Sequence, residues 1–447
     1  MNLLEMVEVA GIVGCGGAGF PTHIKWNAKA EHFNVNAVEC EPLLGTDRFL
    51  MRHRADDIIS ACVCVSEVLE AAQTTIAIKG EYKEEIQSLK EAIDKVDANI
   101  NIHELYAFYP AGDEQVIVYE VTGKVVPCGG IPLDVGVVVS NVATLVAASE
   151  TLSGEPLISK YITVAGEVKN PTVVKAPIGT LIEECIQAAG GALIDNPIII
   201  VGGPMMGKDI SLISSDKQRV TKTTSGILVL PREGTIKKYK EPMDLPALKK
   251  RAATSCIQCQ YCTMLCPRHM LGHPLQPHMI MRSLGHINNI EDLFENNEYV
   301  VNAHLCSLCG VCSVYACPMG LQPSKVNAFL KDELAKRGIR RATKEITDPY
   351  EEREGRRIPT HRITSRVGVA KYEGKLGDNL SEIVPNEVAI ALRQGPGKLP
   401  NPVIQVGDIV TKGQSIASIP KGAIGSNLHA SIDGKVVEIS DVIRIKK

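Results

Sequence analysis

The run Cys256-Ile-Gln-Cys259-Gln-Tyr-Cys262-Thr-Met-Leu-Cys266-Pro267 returns downstream as Cys306-Ser-Leu-Cys309-Gly-Val-Cys312-Ser-Val-Tyr-Ala-Cys317-Pro318. The first run reads C-x2-C-x2-C-x3-C-P, the spacing that wraps [4Fe–4S] clusters. The second carries one extra residue before its last cysteine. Three cysteines on one tight loop reach three corners of a cubane. The fourth, on the helix that follows, points away and reaches a neighbouring cluster. This reading groups Cys256, Cys259 and Cys262 with Cys317, and Cys306, Cys309 and Cys312 with Cys266. Zinc also takes four thiolates, but its sites usually use two separated C-x2-C pairs.

Working outward, the composition suits an intracellular metal protein. Fourteen cysteines without a basic n-region and apolar h-region predict metal binding rather than a disulfide framework. Cys62, Cys64 and Cys185 fall at helix or core positions, and Cys15 and Cys40 have no partner spacing that makes them ligands. The longest apolar stretch, 135–148, is broken by Gly136, Ser140 and Asn141, so no transmembrane segment of ~18 residues is expected. A net charge of −3 and one Trp give no pull toward nucleic acid. The expected location is cytoplasmic.

A chain of 447 residues suggests three or four domains. Residues 1–150 alternate apolar runs with amphipathic helical stretches such as 56–72, which predicts an α/β layer. Residues 155–235 read as strand, short helix and buried strand, closing on Gly202-Gly203-Pro204, a small β-grasp pattern. Residues 245–335 hold the cysteine runs among short helices. Residues 331–366 are mixed in charge and read as a solvated helix and connector. Residues 367–447 show short strands punctuated by Gly407, Gly413 and Gly434, an all-β sandwich or barrel.

Near the N-terminus stands Gly14-Cys15-Gly16-Gly17-Ala18-Gly19-Phe20-Pro21-Thr22. Residues without side chains let backbone N–H groups approach a phosphate, and Lys25 is placed to neutralise it. Alone this G-x-G-x-x-G is a weak signal, and Phe20-Pro21 departs from the usual Rossmann continuation.

The stretch GCGGAGFPTHIKW (14–26) resembles the flavin loop of the NADH-oxidising subunit of respiratory complex I. Asn36-Ala-Val-Glu39-Cys-Glu41-Pro42, Thr46–His53, Tyr109-Pro-Ala-Gly112-Asp113-Glu114 and Ser140-Asn141-Val-Ala-Thr144-Leu follow in that family's order. The resemblance implies FMN held at its phosphate and ribityl by Gly14, Gly16, Gly17, Gly19 and Lys25. It implies Asn36 and Glu39 near the isoalloxazine, with Asn141 and Thr144 opposite. Phe20, Tyr109 and Glu114 would border the nicotinamide pocket for NADH. Val38 and Asp113 replace the family's Asp and Glu.

Tyr161–Pro171, Gly190-Gly191 and Gly202-Gly203-Pro204-Met205-Met206-Gly207 resemble the SLBB β-grasp module, for which a scaffold role is expected. The stretches 406–416 and 429–436 resemble a barrel-sandwich hybrid of lipoyl type. The hairpin lysine that carries lipoyl or biotin would fall at Ser431-Ile432-Asp433, and none of these is a lysine, so a swinging arm is not expected.

The expected fold class is therefore multidomain, α/β plus α+β. It comprises a complex I flavin-subunit-like domain (1–150), an SLBB domain (155–235), a dicluster ferredoxin-like domain (245–335) and a C-terminal barrel-sandwich hybrid (367–447). That order resembles the cobalamin (corrin) reductases of propanediol-utilisation microcompartments, the PduS type. In the RnfC component of the membrane Rnf complex the similar sandwich precedes the flavin domain. The resemblance implies FMN, two [4Fe–4S] clusters, NADH as donor and cobalamin as acceptor. It also implies a cobalamin adenosyltransferase or other microcompartment proteins as partners, and encapsulation. The alternatives are an RnfC-like electron-transfer protein serving a protein acceptor, and a redox-linked binding module with little NADH turnover.

Overall fold

The structure, a computed structural model, describes residues 1–294, 297–341 and 344–447. The apolar runs Thr74–Ile78 and Val137–Val139 are buried strands of one parallel sheet, as runs covered on both faces should be. Its order is 101–105, 73–79, 32–37, 137–141. The helices Ala55–Val68, Lys83–Val96 and Val142–Leu152 flank it. The chain runs outward from strand His32–Ala37 on one side, then crosses back to place Val137–Asn141 on the other. The order therefore reverses between these two strands, and the crevice beyond their carboxyl ends is where such sheets bind ligands. Asn36 and Asn141 are register partners at those ends.

A mixed six-stranded sheet follows, built on 159–166, 172–177, 198–201 and 226–230 with the helix Ile182–Ala188 packed on its face. The cysteine loops sit among the helices Leu245–Ser255, Pro277–His286 and Pro323–Lys336. Two small sheets form the C-terminal β-sandwich: 387–391, 442–446, 434–439 and 409–410 face 401–402, 415–418 and 428–429.

Within the expected solvated connector, residues 344–352 are mostly exposed, but 353–363 is anchored to the first layer. Ile358-Pro359 pairs with Phe108-Tyr109 as a short antiparallel ribbon. Arg353 and Arg357, both largely buried, converge on the carboxylate of Glu120. Two like charges that look solvated in the sequence are drawn inward here by one carboxylate far away in the chain.

The sandwich shares its core with the first layer. Val388, Ile390, Val410 and Ile416 join one buried cluster with Val7, Ile12 and Phe33. The buried Lys222 donates to the carbonyls of Gly11 (2.7 Å) and Asn427 (2.6 Å). Asn427 also donates to the Glu8 carbonyl. A Cβ on Gly395 would lie 2.5 Å from the Gly19 carbonyl oxygen, so the sandwich braces the back of the glycine loop.

Candidate cluster and flavin site

The two cysteine loops share one backbone conformation. Gln258 (φ 55) and Gln260 (φ 64) in the first match Leu308 (φ 60) and Gly310 (φ 80) in the second. Three of these four are not glycine, and left-handed geometry costs such residues roughly 1–2 kcal/mol each. Strain repeated at equivalent positions marks a shape imposed by what the loop encloses.

The cysteines fall into two quartets. Cys262 lies in the electrostatic neighbourhood of Cys317, Cys256 and Cys259. Cys309 lies in that of Cys266 and Cys306. Cys266, Cys306, Cys309 and Cys312 line one cavity. Each quartet thus takes its fourth member from the other run. Sulfurs set apart around a cavity suit the corners of a cubane. Burial pushes the Cys262 and Cys266 thiols up to about 12, and neighbouring sulfurs add to this. Four thiolates here need a buried cationic group, which cluster iron supplies.

The extra residue before Cys317 is absorbed locally. Cys312–Ala316 forms a π-helical turn where the first run has the α-helical Tyr261–Met264. One inserted residue in a helix makes such a bulge, often at functional sites. Cys317 keeps its direction toward the other loop.

The quartets differ in exposure. Cys266, Cys306, Cys309 and Cys312 are all buried, while Cys256, Cys259, Cys262 and Cys317 are partly accessible. Ile257, Tyr261 and Met319 stand exposed around the outer quartet.

The glycine loop lies over the sheet crevice. Gly14 N–H donates to the Phe20 carbonyl (2.8 Å), and Gly19 N–H to that of Gly14 (3.1 Å), closing the loop. The Cys15 N–H donates to the Thr144 hydroxyl (3.0 Å). Trp26 anchors the following helix through Ser140 (2.8 Å). A Cβ on Gly16 would stand 3.2 Å from the Asn141 side chain, and Gly17 has φ +118 with open space beside it. Among the described residues the exposed N–H groups of Gly16, Gly17 and Ala18 have no acceptor. Free amides on a side-chain-free loop fit a phosphate.

The other predicted residues line up as follows. Asn36 donates to the Gly112 carbonyl (3.1 Å) and accepts from Val38 N–H (3.2 Å). Asn141 caps its helix and donates to Asp47 (2.7 Å). Glu39, held at φ 40, accepts from the Asp47 N–H (2.6 Å). Burial raises both carboxyls, Glu39 well above the usual range and Asp47 to about 6. Lys25 is ion-paired with Glu114 across the cleft. Phe20 is partly exposed at its mouth. Val38 is fully buried with Ala77, Ala111 and Val116.

Tyr109 is buried too, and its hydroxyl donates to the Cys309 carbonyl (2.8 Å). It faces the inner quartet. Asp113 caps the helix Glu114–Thr122 and pairs with Arg268 (2.9 Å), two residues beyond Cys266. Glu41 accepts from the N–H groups of Met205 (2.9 Å) and Met206 (2.8 Å). Sequence reasoning gives no role to Glu41, Asp47 or Arg268. Their only signal is a place beside motifs already noted.

A flavin cleft at a sheet switch point, joined through Tyr109 and Asp113 to two crossed cysteine quartets, defines a flavin and iron–sulfur oxidoreductase. Four family models match in the same order: the Nuo51 FMN-binding domain over residues 7–150, the SLBB domain over 161–209, the 4Fe-4S dicluster domain over 255–322 and the RnfC barrel sandwich hybrid domain over 365–447. Cobalamin reductase PduS of Citrobacter freundii is 36% identical over 442 residues, 98% of this chain and 95% of that one. The Salmonella typhimurium cobalamin reductase PduS is 37% identical over 441 residues, with the same coverage. A component of the Na(+)-translocating ferredoxin:NAD(+) oxidoreductase complex of Acetobacterium woodii is 34% identical over 272 residues, 60% of this chain and 58% of that one. The chain belongs to the cobalamin reductase PduS family.

Proposed function

We propose that this chain takes electrons from NADH and delivers them singly to cobalamin, in preparation for re-adenosylation by an adenosyltransferase. The observation that carries the reading is the Tyr109–Cys309 hydrogen bond, which joins the flavin cleft to a cluster loop inside one buried interface.

When bound, flavin would supply hydride acceptance and single-electron release, and two [4Fe–4S] clusters would supply one-electron storage. The chain's part is to hold and orient. Gly16, Gly17 and Ala18 would present free amides to the flavin phosphate, while Gly14 and Gly19 close the loop through their own N–H bonds. The Lys25–Glu114 pair sets charge at the cleft. Asn36, Glu39, Asn141 and Thr144 form its floor, with Phe20 at the mouth. Tyr109 closes the side toward Cys309. Cys266, Cys306, Cys309 and Cys312 hold the inner cluster. Cys256, Cys259, Cys262 and Cys317 hold the outer one, where exposed Ile257, Tyr261 and Met319 offer a contact for an acceptor.

The microcompartment setting and its protein partners belong to the same reading, supported by relatives named for cobalamin reduction. Among the described residues no helix is long and apolar enough to cross a membrane. A protein acceptor is the second reading, favoured by the exposed apolar side chains at the outer quartet. Steady-state assays on reconstituted protein separate the two. Reduction of cobalamin with NADH supports the first, and reduction of only a ferredoxin-like protein supports the second. Protein lacking both flavin and NADH oxidation contradicts both.

A further inference from the structure

The helix Pro323–Lys336 passes beside Cys306 and directs two side chains at it from successive turns. Asn327 and Lys331 are four residues apart and so share a face. Asn327 is fully buried, and its amide donates to the Cys306 sulfur at 3.5 Å. Its carbonyl oxygen has no partner. A buried polar group with half its capacity unmet is costly, so a buried amide whose bond goes to a cysteine sulfur calls for a role. Asn327 also lines the cavity formed by Cys266, Cys306, Cys309 and Cys312. Lys331 donates to the Cys306 carbonyl at 2.8 Å. The Leu308 N–H adds a third donor, to the Cys306 sulfur at 3.4 Å.

Near the outer quartet Arg251 donates to the Met319 and Gly320 carbonyls just beyond Cys317, but among the described residues no side chain there bonds a sulfur. Among the described residues, Asn327 makes the only side-chain hydrogen bond to a sulfur of either quartet. The two loops share their backbone shape, so the difference lies in this helix.

We infer that Asn327 and Lys331 set the reduction potential of the inner cluster, raising it relative to what its four thiolates alone would give. The inference rests on the two-cluster reading above. Reduction adds negative charge to a buried cluster. An N–H donor on a ligand sulfur and an ammonium beside the same residue both favour the more negative state. The outer cluster, without these groups and nearer to solvent, is set independently. Asn327 and Lys331 are positioning residues acting through Cys306.

Anaerobic potentiometry followed by electron paramagnetic resonance reads both midpoints on protein of full iron content. Lys331→Met and Asn327→Leu are expected to lower one midpoint and leave the other in place. Lys331→Arg keeps both near wild type. In Cys317→Ala protein, which retains the inner quartet, the Lys331→Met shift persists. Should Lys331→Met shed iron, Lys331→Gln gives the same reading with a polar stem. Unchanged midpoints in full-iron variants overturn the inference, as does a shift confined to the cluster that Cys317→Ala removes. Wild-type protein with iron for only one cluster overturns the two-cluster reading instead, and that result is distinct.

Discussion

The hydroxyl of Tyr109 donates to the backbone carbonyl of Cys309 at 2.8 Å, across 200 residues of sequence. One partner ends the short strand Phe108–Tyr109, and the other belongs to the buried inner cysteine quartet. Glu41 lies 3.4 Å from the same hydroxyl and is itself held by the Met205 and Met206 amides. The flavin layer, the β-grasp turn and the cluster loop thus meet at one buried tyrosine.

Tyr109→Phe keeps the ring and removes the donor. A buried acceptor left without its partner costs roughly 1–3 kcal/mol. The variant should bind flavin normally and bleach it with NADH at the wild-type rate. Cluster reduction after bleaching should slow several-fold, which stopped-flow absorbance measures directly.

Cys317→Ala should remove the cluster bound by Cys256, Cys259 and Cys262 rather than the one bound by its own run. Iron analysis should fall by about four atoms per chain. The remaining resonance signal should match that of the inner quartet, and Cys266→Ala should give the complementary loss.

Lys222 is buried between Gly11 and Asn427, and burial lowers its ammonium to about 7. In the unfolded chain it titrates near 10.5. Between these values the unfolded chain binds more protons, so stability rises with pH. The contribution is complete above the unfolded value and is lost as pH falls toward 7. Its slope is up to ~1.4 kcal/mol per pH unit. Denaturation curves from pH 7 to 9 should show this rise in wild type and a flatter profile in Lys222→Met.

Glu120→Ala leaves Arg353 and Arg357 buried without their carboxylate. Breaking a buried pair typically costs ~3–5 kcal/mol. Chemical denaturation should register a loss of that order. Limited proteolysis should open the strap between residues 344 and 357 before the rest of the chain.

The grouping of the cysteines is legible in the sequence because its information is local: short spacings on one loop. Even the crossing of the quartets can be read, since a fourth cysteine after a helical step points away. What cannot be read is how Cys317 tolerates its extra residue, because a π-turn depends on the helices packed around it. The glycine loop announces a phosphate site, and Asn36 and Asn141 read as lining it. Their pairing across the sheet is invisible until strand order is known. Arg353 and Arg357 read as solvated because charge composition carries no record of Glu120. Lys331 and Asn327 leave no mark at all, being ordinary residues on an amphipathic helix whose neighbour is Cys306.

The union of flavin cleft and cluster loops in one conduit is tested most directly by electron paramagnetic resonance on anaerobic, flavin-loaded protein frozen after mixing with NADH. Signals of reduced [4Fe–4S] clusters should follow flavin bleaching within the same sample and fade on addition of cob(III)alamin. Bleached flavin with no cluster signal, in protein carrying about eight irons, would contradict it.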